Sequence, residues 1–250
     1  MENKQIIVNE TLISYVSAGK GERSLIFLHG WRSSKEAWMP IAEHIEQCGY
    51  RMLFIDLPGF GASEAPNKPY NLHDYAETVR AFAEKLDIKI AAVIGHSFGA
   101  RVAIKLAEEH PHLLEKLVLV ASGGKRASFL TIKSFAAKLA KPFFIPRFMA
   151  PLRKKMYGIM GADDYLATPE LQTTFANIIH ENLDALLPHI HMKTLVVWGD
   201  KDEMAPLEYG RHMAQLLPNA QLEIINGAGH YCFSEQPAEF SKILQRFLAI

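Results

Sequence analysis

The sequence predicts an α/β protein with a mostly parallel central sheet flanked by helices and one helical insertion. Three observations predict it. Short aliphatic, β-branched runs alternate with longer amphipathic ones along most of the chain, the pattern of a parallel sheet covered on both faces. The alternation stops between Ser122 and Met192, where no strand pattern appears. At 250 residues and 49% hydrophobic, the chain can bury one full core.

The elements follow in order. "KQIIVN" and "LISYVSAG" form an opening hairpin joined by Glu10-Thr11, and "SLIFLHG" (24–30) is the next strand. A helical pattern runs from Glu36 to Cys48, and "RMLFIDLPG" (51–59) returns to the sheet. Residues 71–86 are a helix with Asn71 as its cap and Leu72, Tyr75, Val79, Phe82 and Leu86 on one stripe. "AAVIG" (91–95) is a strand, and Phe98 to Glu109 is a helix stopped by His110-Pro111. "LEKLVLVAS" (114–122), "TLVVWG" (194–199), a helix near Leu207 to Leu217, "AQLEII" (220–225) and a last helix from Gln236 to Leu248 complete the series. The core is thus expected in residues 1–122 and 192–250. Residues 123–191 are too long for a plain connection, and Pro142, Pro146, Pro151, Pro169 and Pro188 cut them into short helices, so a helical cap over the sheet's carboxyl edge is expected.

Charge and composition exclude several classes. Lys+Arg and Asp+Glu are both 27, so net charge gives no reason to expect a nucleic-acid partner. "MENKQIIVNE" lacks a basic-then-apolar leader and no apolar run approaches about 20 residues, so a cytoplasmic protein is expected. Cys48 and Cys232 are too few for a zinc site or disulfide framework. The neutral total conceals an asymmetry: from Lys125 to Lys155 there are nine cations and no Asp or Glu. In "SFLTIKSFAAKLAK" (128–141) the apolar residues share one helical face, with Lys133, Lys138 and Lys141 opposite. Such a helix either covers the site as an amphipathic lid or meets an anionic surface.

The chemistry centres on Gly95-His96-Ser97-Phe98-Gly99, a G-x-S-x-G motif between a strand and a helix. There a nucleophile elbow exposes a serine Oγ on a strained turn. The plainer reading is a tight turn with Ser97 as helix cap. A serine needs a base, and the base an acid to hold its tautomer. Downstream, "TLVVWGDKDEMAP" ends a strand with Asp200 and Asp202, and "EIINGAGHYCF" ends another with His230, both at strand carboxyl ends.

With "LHGW" (28–31), "DLPGFGAS" (56–63), "GHSFG" (95–99), "WGDKD" (198–202) and "GAGH" (227–230) in this order, the chain resembles the α/β-hydrolase family over nearly its whole length. The resemblance implies Ser97 as nucleophile, Asp202 as acid and His230 as base, with Asp200 as rival acid. The two oxyanion donors are assigned to the main-chain N–H groups of Phe98 and Trp31. A single Gly30 precedes Trp31, unlike the H-G-G-G loop of some lipases; its indole either narrows the acyl pocket or packs under the cap. His29 and His96 read as structural, Asp56 as a loop organiser, Arg101 as a helix-surface or loop-pairing cation, and Cys232 as core. His189 and His191 have a metal-like spacing but no evident third ligand. Haloalkane dehalogenases and epoxide hydrolases of this layout use an aspartate where Ser97 stands. The expected function is cleavage of small or medium acyl esters through an acyl-enzyme, with no cofactor. The alternatives are a meta-cleavage-type carbon–carbon bond hydrolase using the same triad, and a hydrolase-like ligand-binding protein with weak turnover.

Overall fold

The computed structural model describes residues 1–45, 49–123 and 168–248. Eight strands form one sheet: β1 (Glu2–Val8), β2 (Thr11–Ala18), β3 (Arg23–Leu28), β4 (Arg51–Ile55), β5 (Lys89–His96), β6 (Leu114–Val120), β7 (Lys193–Gly199) and β8 (Ala220–Ile225). Their order across the sheet is β1-β2-β4-β3-β5-β6-β7-β8. β1 and β2 pair antiparallel, as do β2 and β4; every pair from β4-β3 to β7-β8 is parallel.

The first hairpin turns through Asn9 and Glu10, one residue earlier than the sequence suggested. Both residues have positive φ, 46° and 63°, which matches the twist of a two-residue hairpin. The central strands are buried along almost their entire length, β5 with only Lys89 exposed. This is why they read as unbroken aliphatic runs rather than alternating ones.

The helices are α1 (Met39–Ile45), α2 (Leu72–Lys85), α3 (Phe98–Glu109), α4 (Gln172–His180), α5 (Leu207–Leu216), α6 (Cys232–Glu235) and α7 (Pro237–Leu248). α2 packs on α3, and α1 on α7. The helix expected from Glu36 starts instead as a 3₁₀ turn over Lys35–Trp38. Pro40 accounts for the break, since it has no N–H to donate to Glu36. Asn71 caps α2 reciprocally: its side chain accepts from Asp74 N–H at 3.0 Å, and Asp74 accepts from Asn71 N–H at 2.9 Å. α6 was not foreseen; four residues are too few for periodicity to register.

Of the residues expected to form a cap, 168–191 are described: they hold α4, with 3₁₀ turns at Pro169–Leu171 and Leu187–His189 on either side of it and non-helical chain between α4 and the second turn. The basic run Lys125–Lys155 and the amphipathic stretch 128–141 lie outside the described residues, as does Cys48. Among the described residues no helix is long and apolar enough to cross a membrane.

Strand order locates the place where a site can form. From β3 the chain goes to β4 on one side and then to β5 on the other, so the connections leave β3 and β5 in opposite directions. A crevice opens outside the carboxyl ends of two such strands.

Candidate active site

Register brings the loops after β3 and β5 side by side, with Leu28 opposite Gly95. A Cβ on Gly95 would stand 2.6 Å from Ala100 Cα, and one on Gly99 would stand 2.7 Å from the His29 carbonyl oxygen. Both glycines are therefore required by close backbone approach, on the two sides of Ser97. Ser97 takes φ 50° and ψ −106°, a conformation that a non-glycine residue holds only when its surroundings impose it. Here its N–H is fastened to Val120 O at 2.9 Å and its carbonyl accepts from Arg101 N–H at 3.3 Å. The strained elbow, not a capping side chain, describes this turn: the Ser97 hydroxyl makes no cap hydrogen bond.

His230 Nδ1 lies 2.8 Å from Asp202 Oδ2, and both side chains are buried. A carboxylate accepts, so Nδ1 carries the proton and the lone pair falls on Nε2. The other Asp202 oxygen accepts from Met204 N–H at 2.9 Å and Ala205 N–H at 2.8 Å, which fixes the carboxylate. Asp200 does something else: its Oδ1 accepts from Gly227 N–H at 2.5 Å and shapes the loop. Between the rival aspartates, the bond to His230 belongs to Asp202.

The His230 loop is held on both sides. Glu235 accepts from Gly229 N–H at 2.7 Å through one oxygen and from Tyr231 N–H at 3.2 Å through the other. From the sheet, His96 Nε2–H donates to the His230 carbonyl at 3.0 Å, and the two rings lie 4.8 Å apart. His96 is the residue before Ser97, so this bond ties the His230 backbone to the elbow. The structure thus brings Asp202 and His230 into contact and ties the His230 backbone to His96, the residue before Ser97; among the described residues no hydrogen bond joins the Ser97 hydroxyl to His230. Such bonds commonly tighten only when substrate is bound.

Phe98 opens α3, so its N–H is among the four that a helix leaves without an internal acceptor. Gly30 allows the β3 loop to run alongside: a Cβ there would stand 3.6 Å from Ser97 Cβ. Trp31 follows it, half-buried, with its ring 4.8 Å from Phe60, 5.3 Å from Phe98 and 5.0 Å from Phe175. Phe175 comes from α4, so Trp31 packs between Phe98, the residue after Ser97, and α4. Phe60 lies within the "DLPGFGAS" motif but drew no assignment there, and Phe175 had no motif to mark it.

The remaining residues sort by contact. Asp56 organises its loop, accepting from Lys35 N–H at 2.7 Å, Ala62 N–H at 2.9 Å and Lys35 Nζ at 2.6 Å. The buried ion pair with Lys35 was invisible in sequence, where the lysine looks like any surface cation. Cys232 is fully buried, and burial pushes its thiol up to about 12, so it is core. His189 and His191 are exposed at the entry to β7. Among the described residues the one metal-like grouping is Glu77, Glu109 and His110, and there Arg80 pairs with Glu77 and Lys105 with Glu109.

His29 and His96 are fully buried, and burial lowers the pKa of both, His96 well below the ordinary value. His29 accepts from Leu57 N–H at 3.0 Å and lies 2.7 Å from the Gly30 carbonyl, which suits the neutral ring. In the unfolded chain each protonates near 6.5. As pH falls below that value the unfolded state takes up protons that the folded state refuses, so stability present at neutral pH is lost on acidification. The limiting slope is about 1.4 kcal/mol per histidine per pH unit. Urea unfolding between pH 7.5 and 5 should show this loss, and His96→Asn should reduce its slope; an unchanged slope would contradict the neutral His96.

A sequence profile described as "Alpha/beta hydrolase family" matches residues 25–243. A 2-hydroxy-6-oxononadienedioate/2-hydroxy-6-oxononatrienedioate hydrolase of Pseudomonas sp is 28% identical over 254 residues, covering 93% of this chain and 90% of that protein. Among solved structures, a membrane phospholipase A described as a bacterial virulence factor superposes with TM-score 0.79 at 25% identity, covering 99% of this chain and 86% of the other. An esterase from Exiguobacterium antarcticum superposes with TM-score 0.77 at 20% identity over all of both chains.

Proposed function

The chain belongs to the α/β-hydrolase family, and from that premise we propose that it is a serine hydrolase cleaving carboxylic esters of small or medium acyl chain. The observation that carries the proposal is the Asp202–His230 pair, hydrogen-bonded at 2.8 Å and tied through His96 to the strained elbow that carries Ser97. In the reaction, Ser97 Oγ attacks the ester carbonyl carbon while His230 Nε2 takes the hydroxyl proton. The resulting oxyanion accepts from the N–H groups of Phe98 and Trp31. As the carbon–oxygen bond breaks, His230 returns the proton to the departing alcohol, leaving an acyl group on Ser97. Water, deprotonated by His230, then hydrolyses it and regenerates the serine. Asp202 keeps the imidazole in the required tautomer throughout.

A second reading, carbon–carbon bond hydrolysis, has support in the 28% identical relative, which is named as a hydrolase of 2-hydroxy-6-oxononadienedioate. The same three residues serve such chemistry. The ester reading is favoured by the β3 loop, where one glycine and a bulky Trp31 replace the glycine-rich form common in meta-cleavage enzymes, and it is supported by the 25% identical phospholipase A. A panel of p-nitrophenyl esters of graded acyl length, run beside a 2-hydroxy-6-oxo-dienoate, separates them. Ester turnover should exceed dienoate turnover by about 100-fold or more in kcat/KM, a margin that pocket chemistry can supply. The opposite ranking would establish the carbon–carbon reading, and turnover of neither would favour a binding protein. The basic run Lys125–Lys155 adds a further proposal, contact with an anionic surface, which predicts vesicle binding that weakens with salt.

A further inference from the structure

Of the two roles its sequence position allows, a helix-surface or a loop-pairing cation, Arg101 takes the second. It lies one turn after Ser97 on α3 and is 8% exposed. One terminal nitrogen donates to Gly123 O at 2.9 Å; the other donates to Ile178 O and Glu181 O, both at 2.7 Å. Gly123 is where the chain has just left β6, and Ile178 and Glu181 are where it returns at the end of α4. One guanidinium therefore bonds both stretches that bracket residues 124–167 and joins them to the helix that begins at the nucleophile.

The chemistry suits arginine. Ile178 O is among the last carbonyls of α4, which have no partner inside the helix and carry the negative end of its dipole. A buried cation must be hydrogen-bonded to be tolerated, and the planar fork of a guanidinium reaches several acceptors where an ammonium acts as a point. Burial lowers its pKa to about 10, so it remains charged at neutral pH. The middle of α4 is hung separately: Thr174 Oγ1 accepts from Tyr70 N–H at 2.9 Å and Asn177 donates to Tyr70 O at 3.2 Å. Between these two attachments Phe175 projects onto Trp31, 5.0 Å between ring centres, and Trp31 borders Phe98 and the elbow.

We infer that Arg101 is a positioning residue that seats α4, and through the Phe175–Trp31 contact sets the wall beside Ser97 and so the acyl size the site accepts. The substrate part rests on the ester-hydrolase reading; the placement of the wall does not. Two readouts keep them apart. Of the three tryptophans, Trp38 and Trp198 are fully buried, so acrylamide quenching of tryptophan fluorescence reports Trp31. In Arg101→Met, quenching should rise toward that of Phe175→Ala, and the double variant should add little, as expected of residues acting through one contact. The hexanoate-to-acetate ratio of kcat/KM for p-nitrophenyl esters should shift by about tenfold, through KM rather than kcat. Arg101→Lys, which keeps the charge but not the fork, should move both readouts in the same direction by less. Lower thermal stability with wild-type quenching and wild-type selectivity, in whichever of the two variants folds, would reduce Arg101 to a purely structural residue and overturn the inference. Should the wild-type protein hydrolyse neither ester, the ester reading fails while the quenching comparison still decides the placement.

Discussion

Ser97→Ala should remove ester turnover almost completely, lowering kcat on the order of 10⁵- to 10⁶-fold, while the protein stays folded. Members of a nucleophile–base–acid unit fail together, and the residue left without the nucleophile is only the binding and oxyanion contribution. His230→Ala should therefore cost about as much as Ser97→Ala, and the double variant scarcely more. Folding should survive because Ser97 is held by main-chain bonds, to Val120 O and from Arg101 N–H, that alanine retains. Alanine at φ 50° is no more strained than serine. Matching thermal melts alongside the kinetics check both halves; near-wild-type turnover in folded Ser97→Ala would remove serine catalysis from consideration.

The two aspartates give the second large effect. Asp202→Asn should lower kcat about 10⁴-fold, because an amide facing Nδ1 donates rather than accepts and turns the imidazole to the tautomer whose Nε2 is protonated. Asp200→Asn should change kcat less than about tenfold. Its contact is acceptance from Gly227 N–H through Oδ1, which an asparagine oxygen reproduces. Both variants read on the same ester by kcat/KM settle the matter, and the reverse ranking would transfer the acid's role to Asp200.

What the sequence made legible, and what it hid, follows physical lines. The parallel strands announced themselves because both faces of each are buried, so an unbroken aliphatic run is the only composition that fits. The elbow was legible because two glycines are needed where backbones touch, at Gly95 against Ala100 and Gly99 against His29. Asp202 and Asp200 were distinguishable only by resemblance, since both stand at the same strand end; the hydrogen bonds divide them. Other residues carried no local signature. Lys35 binds Asp56 across 21 positions, Glu235 braces the His230 loop from a helix of four residues, and Arg101 finds its acceptors 22, 77 and 80 positions away. Periodicity and spacing report neighbours along the chain, and these contacts are made by the fold. For the same reason Phe175 could not be placed against Trp31 before α4 was seen on the core.

The proposed ester hydrolysis requires a covalent acyl group carried on Ser97, formed with His230 as base. Rapid mixing with a p-nitrophenyl ester, acid quenching and intact-mass measurement tests it most directly. The expected result is a burst of nitrophenol matched by an adduct of the acyl mass, mapping to the peptide that holds Ser97 and absent from Ser97→Ala. Asp202→Asn should form the same adduct far more slowly. Steady ester turnover with no adduct at any mixing time, in conditions where deacylation has been slowed, or an adduct on another residue that persists in Ser97→Ala, would contradict it.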